Sequence, residues 1–178
     1  MSVASSVTPP TMVRKGADSS FSAHKVRLSV EEAYAILEEW DMSAVRTYLM
    51  NHDGISEQKA LNMEREYKRF IALSLLVESG LNVPISAGVD PFWHTHIIFT
   101  HDYTAMCLAL GGHYIHHVPA VSDEERARLC SAYGSNTLAL YRSYFGEPDP
   151  EFWPENAQIC IVCCDRDRTP DHGKVLVI

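Results

Sequence analysis

Helix start signals constrain the fold of this chain more than any other feature of its sequence. Ser29 and Ser122 each open a Ser-x-x-Glu capping box, in which the serine hydroxyl and the glutamate satisfy the first backbone N–H groups of a helix. Ser56 caps a third segment, which runs on to Gly80, a natural helix end. Apolar residues behind each serine recur at intervals of three and four, the spacing of one helix face. The sequence therefore predicts an all-α fold, a compact bundle of about five helices.

The chain divides into three stretches of different composition. Residues 1–26 are rich in Ser, Thr, Pro and Gly and show little apolar periodicity, which predicts a disordered N-terminal leader. Residues 27–146 carry the helix signals and most of the histidines, so we expect them to form one helical domain. Residues 147–178 combine a Pro-containing connector with two short β-prone runs, which favours a short tail that ends in a β-hairpin.

Charge and apolar patterning argue against several classes of partner. The formal net charge is -8, and no run of Lys or Arg occurs. Nucleic acids and anionic membranes are bound through basic surfaces, so neither is an expected partner.

The longest apolar run, "FIALSLLVESGL", is interrupted by Glu78, and the N-terminus has no apolar signal region. The five cysteines are an odd number, which argues against a disulfide framework. We expect a soluble cytoplasmic protein whose partner is a small molecule or another protein.

Histidines concentrate in two adjacent segments of the helical domain. Six of the nine histidines lie between His94 and His117. The first segment, "VDPFWHTHIIFTHDY", predicts a helix with Asp90 as its N-cap and Pro91 in its first turn. The second segment, "GGHYIHHVP", is a glycine-broken turn that can bring its histidines over that helix. Each buried imidazole without a partner would cost about 1–3 kcal/mol, and a shared metal ion would supply the partners.

Helix geometry decides which of these residues can meet. Asp90 and His94 are four residues apart, so both point to one side of a helix, as in helical zinc motifs. His94 and His96 are two residues apart and diverge by about 200° in a regular helix. Both can hold one ion only if the first turn is distorted. On a straight helix His101 would lie close to Asp90 and His94.

These patterns predict a mononuclear site for a divalent transition metal. Zn or Fe is favoured, and Mn and Ni also suit nitrogen and oxygen ligands. In a catalytic site, metal-bound water or O₂ would be the reactant and Tyr103 a candidate proton donor, although the sequence leaves open whether the protein is an enzyme. The core candidate ligands are His94, His96 and His117, with Asp90 and His116 as supporting ligands or as partners of the ligands.

A longer signature runs through both segments: Asp-x-x-Trp-His-x-His, then Thr, Tyr, Cys and Gly, then His before Pro. It is similar to the glycine-rich domain-containing protein-like family, helical proteins of bacteria and plants. The resemblance covers about residues 65–120 and implies a helical fold without supplying a reaction. Members often lack a histidine at the place of His101, which makes His101 the weaker ligand candidate. The residues that carry the resemblance are Asp90, Trp93, His94, His96, Thr100, Tyr103, Cys107, Gly112, His116, His117 and Pro119.

Two other functions stay open at this point. The chain can be a non-catalytic interaction module, in which the histidines form a structural hydrogen-bond network with Asp90, Thr100 and Tyr103. It can also be a thiol-redox protein, because its tail contains a Cys-x-x-Cys spacing. Cys107 lies late on the predicted histidine helix, where buried packing is expected. The cysteines of the tail are Cys160, Cys163 and Cys164.

Overall fold

A computed structural model of the protein describes residues 28–155 except Gly80 and His113. No strand occurs in this part of the chain, which confirms the predicted all-α fold. The predicted leader and the predicted hairpin of the tail lie outside the described residues. No described helix is both long and apolar enough to cross a membrane. The helices are α1 (Val30–Glu38), α2 (Ser43–Asp53), α3 (Glu57–Ser74, continued by a 3₁₀ turn at Leu75–Ser79), α4 (Asp90–Ile98), α5 (Thr100–Ala109), α6 (Asp123–Ala132) and α7 (Leu138–Phe145), with a π-helical turn at Tyr133–Thr137 between the last two.

The helix starts form where the serines predict them. The Ser29 hydroxyl accepts the backbone N–H of Glu32, whose carboxylate accepts the backbone N–H of Ser29 at 2.8 Å, so the capping box is complete. Ser56 and Ser122 likewise accept the N–H three residues further on. The glutamate of the second box accepts the N–H of Val121, one residue before the cap. The local signals thus set the starts of α1, α3 and α6.

Helix α3 lies at the centre of the bundle and packs against α1, α2, α4 and α7. Its charged stretch runs from Glu57 to Arg69, yet Glu64, Glu66 and Lys68 are buried there. Each is paired, as a buried charge must be: the Lys68 ammonium lies 2.8 Å from the Glu64 carboxylate, and Arg69 lies 3.1 Å from that of Glu66. The buried part of α3 therefore extends beyond its apolar C-terminal end.

Two aromatic residues that follow Gly146 belong to the core of the bundle. Phe152 and Trp153 are buried, and the Trp153 indole N–H donates to the Glu66 carboxylate at 2.9 Å. The backbone of Phe152 approaches Gly88 so closely that a Cβ there would lie 2.7 Å from the Phe152 Cα. Packing therefore continues past residue 146, although the division of the whole chain into leader, domain and tail stays a prediction.

The predicted histidine helix is broken at Phe99, where the expectation of one continuous helix was wrong. The Phe99 backbone has φ -82° and ψ 61°, outside the helical region, so α4 ends before it and α5 begins after it. Side chains after Phe99 are therefore rotated from their positions on a straight helix. Asp102, for example, hydrogen-bonds to Trp40 and His96. His101 is exposed and does not join Asp90 and His94.

Candidate metal centre

Asp90 begins α4, but its carboxylate does not cap the helix as predicted. Val89 occupies the N-cap position, and no side chain there makes a cap hydrogen bond. The Asp90 backbone N–H donates to the Ser86 carbonyl at 2.9 Å, so the preceding turn satisfies it. The carboxylate is thereby left for other partners, although the residue is only 1% exposed.

Two imidazoles face this buried carboxylate. His117 Nε2 lies 3.0 Å from Asp90 Oδ1, and His94 Nδ1 lies 3.4 Å from Asp90 Oδ2. The two imidazole rings are 4.5 Å apart between centroids. Each residue offers one ligand atom, and the three atoms lie within 4.8 Å of one another. The structure thus brings together three of the five predicted ligands, and the helical spacing of Asp90 and His94 is the signal that located two of them.

The two carboxylate oxygens of Asp90 differ in their hydrogen bonding. Among the described residues, Asp90 Oδ2 accepts no hydrogen bond, although it is buried and His94 Nδ1 is nearby. Ligand atoms around a tetrahedral ion with bonds of about 2.1 Å lie about 3.4 Å apart. The three ligand atoms of the cluster lie within 4.8 Å of one another, which is about 1.4 Å more than this distance. The His94 side chain is 50% exposed, and a rotation of it can cover the difference. The residues therefore fit a metal ion.

Side chains of the signature hold the segment that carries His117. The Trp93 ring packs against the His117 ring at 4.4 Å between centroids, and its indole N–H donates to the Tyr103 hydroxyl at 2.9 Å. The Tyr103 hydroxyl donates to the carbonyl of Ile115. The backbone N–H of Ile115 donates to Cys107 Sγ at 3.5 Å. The sequence predicts Cys107 as a packed side chain and Tyr103 as a candidate proton donor; in the structure both also bond to the segment that carries His117.

His96 belongs to a different polar network. It is 0% exposed; its Nε2–H donates to Asp102 at 2.7 Å, and its Nδ1 accepts the Tyr67 hydroxyl at 2.9 Å. Asp102 also accepts the Trp40 indole N–H. Burial lowers the pKa of His96, although the Asp102 carboxylate acts in the opposite direction. Both ring nitrogens are engaged on the far side of α4, so the structure does not bring His96 to Asp90.

The remaining predicted site residues lie around the cluster. His116 is exposed, and its ring contacts Tyr114 at 4.9 Å. Tyr103 is fully buried, and burial raises the pKa of its hydroxyl, which favours the protonated form. Burial also raises the pKa of Cys107, so its thiol is a packed side chain, as predicted, and not an activated nucleophile. The tail cysteines and His113 lie outside the described residues.

Fold and site together define the class: a helical bundle with a buried aspartate in contact with two imidazoles. A family-model comparison matches residues 30–129 to the UCP032817-like family. The match covers more than half of the chain and includes Asp90, His94 and His117, so the protein belongs to the UCP032817-like family. A search of curated proteins and a search of solved structures found no match. The resemblance to the glycine-rich domain-containing protein-like family stays a prediction.

Proposed function

We propose that this protein binds one divalent transition-metal ion through Asp90, His94 and His117. The observation that carries the proposal is the buried Asp90 carboxylate, one oxygen of which accepts no hydrogen bond within the described residues. A buried carboxylate is costly unless it is paired or coordinates a metal. Two imidazoles face it, and their nitrogens are good ligands in their neutral form. A cation between the three groups would offset the cost of burying the carboxylate.

The donor set supports Zn²⁺ or Fe²⁺ as the ion. Two imidazoles and one carboxylate are the ligands of several zinc hydrolases and of non-haem iron sites, and both kinds of site leave a position open for a further ligand. His94 is half exposed, so solvent reaches that side of the cluster. Mn²⁺ and Ni²⁺ accept the same atoms. An ion held there would act as a Lewis acid toward water or a small polar ligand.

The proposed ligand set is smaller than the set predicted from the sequence. It leaves out His96, whose two ring nitrogens bond to Tyr67 and Asp102. It also leaves out His116, whose ring lies on the exposed side of its segment. The predicted catalytic role of Tyr103 is not retained, because its hydroxyl proton is donated to the Ile115 carbonyl.

Metal titration with paired histidine variants tests the proposal. We expect calorimetry of the metal-free protein to show one Zn²⁺ bound per chain, and His117→Ala to weaken binding at least ~100-fold, since even partners of ligands contribute 10–100-fold. His116→Ala removes the neighbouring exposed imidazole and should bind like the wild type. Each protein is also measured with the three tail cysteines changed to serine, so that thiolates do not compete. Equal affinity in His117→Ala and wild type would refute the ligand assignment.

A non-catalytic interaction module is the second candidate. It is favoured by the two carboxylate–imidazole contacts, Asp90 with His117 and Asp102 with His96, which give both rings a partner without a metal. The same samples separate the candidates. A protein that binds none of the four metals, and whose melting temperature ignores both Zn²⁺ and chelator, would be the interaction module.

A further inference from the structure

We propose that Tyr103 is the positioning residue of the metal centre: its hydroxyl fixes the segment that presents His117 to Asp90. This inference rests on the proposed metal-binding function and adds what sets the geometry of the third ligand. The Tyr103 hydroxyl acts through Ile115 and Trp93, so metal affinity depends on contacts one step removed from the ligand atoms.

The segment that carries His117 has little structure of its own. It follows Gly111 and Gly112, whose φ values of 133° and 81° favour glycine and whose Cβ positions would meet no atom within 4 Å. Among the described residues, no backbone–backbone hydrogen bond ties residues 114–120 to a helix. The position of His117 must therefore come from side-chain contacts made to this segment.

Ile115 provides the anchor. Its carbonyl accepts the Tyr103 hydroxyl, and its N–H donates to Cys107, so both of its backbone polar groups bond to side chains of α5. Tyr103 is itself fixed, because its oxygen accepts the Trp93 indole N–H. The Trp93 ring in turn packs on the His117 ring. One buried hydroxyl thus links the backbone of the segment to the side chain that orients the ligand.

This anchor also sets which histidine faces the site. From Tyr114 to Val118 the residues alternate between exposed and partly buried, as in an extended chain, where side chains two apart share a face. Ile115 and His117 are on the inner face, and His116 is on the outer one. A slip of one residue would exchange His116 for His117. Holding the Ile115 backbone in register therefore selects His117.

Tyr103→Phe tests the proposal, because it keeps the ring and removes only the hydroxyl. We expect its Zn²⁺ affinity to fall 10–100-fold, as for other groups that orient ligands. The matched control is Tyr67→Phe, which removes another buried hydroxyl, one that bonds to His96 at 2.9 Å. It should lower the melting temperature yet leave Zn²⁺ affinity within about twofold. In the metal-free Tyr103→Phe protein, amide exchange at Ile115 should become faster.

The outcomes separate this inference from the function on which it rests. If the wild type binds Zn²⁺, His117→Ala does not, and Tyr103→Phe binds like the wild type, the positioning role is overturned while the metal site stands. If the wild type binds no metal, both the metal site and the positioning role are refuted. Should Tyr103→Phe fail to fold, Cys107→Ala removes the other side-chain bond to Ile115. A loss of Zn²⁺ affinity there supports the anchor, and unchanged affinity overturns it.

Discussion

Wild-type protein should gain about 4 kcal/mol in its free energy of unfolding when Zn²⁺ is present at about a thousand times its Kd, and Asp90→Asn should gain none. The gain follows from a ligand that binds only the folded chain. Asp90 is the charged ligand of the proposed centre, and its carboxylate contacts both imidazoles. Asparagine has nearly the same shape but lacks the negative charge. Thermal unfolding with and without Zn²⁺ measures the difference.

Asp102→Asn is the matched control for this experiment. Asp102 also contacts an imidazole, that of His96, but it lies in the other network. We expect the variant to be less stable than the wild type in the absence of metal and to keep the full Zn²⁺-dependent gain. A Zn²⁺-dependent gain in Asp90→Asn equal to that of the wild type would contradict the assignment of the carboxylate.

Trp153→Ala should lower the free energy of unfolding by about 3–5 kcal/mol, the range for a large aromatic removed from a core. Trp153 is fully buried against Tyr141 and Tyr133, with ring centroids 5.2 and 6.5 Å away. Its indole N–H is also a hydrogen-bond donor to the buried Glu66 carboxylate. Truncation therefore opens a cavity and leaves a buried charge with one partner fewer. Chemical denaturation of the two proteins measures the loss.

Trp153→Phe separates the contribution of the hydrogen bond to Glu66 from that of the packed ring. It keeps most of the ring and removes the donor to Glu66, so we expect a smaller loss of about 1–3 kcal/mol. If Trp153→Ala cost less than about 1 kcal/mol, the region after Gly146 would not be part of the cooperative core, contrary to its packing in the structure.

Local signals were enough to predict the helical fold. The starts of α1, α3 and α6 depend on serine hydroxyls and nearby backbone groups, which a sequence shows directly. The spacing of Asp90 and His94 is equally local, since residues four apart on one helix share a face. These features do not depend on where the rest of the chain packs.

Features set by distant contacts could not be predicted in this way. The break at Phe99 turns Asp102 toward His96 and Trp40, and nothing in the local apolar spacing indicates it. Trp153 is buried and donates to Glu66, which lies 87 positions away in the sequence. A Pro-containing connector does not reveal such a partner.

The position of His117, and not His116, beside Asp90 belongs to neither of these two groups of features. The helical period that located Asp90 and His94 does not extend past Gly112, so helix geometry could not rank the two histidines. The alternation of exposed and partly buried residues from Tyr114 to Val118 is a period-two pattern of burial in the structure. Yet period two puts His117 with apolar Ile115 and His116 with apolar Tyr114 and Val118, so the sequence alone does not show which face is buried.

Anomalous diffraction from a crystal of the Zn²⁺-loaded protein tests the central claim most directly. The account predicts one zinc peak at the start of α4, about 2.0–2.2 Å from a carboxylate oxygen of Asp90 and from one nitrogen each of His94 and His117. A zinc peak that contacts only cysteine sulfurs or His96, with none beside Asp90, would contradict it.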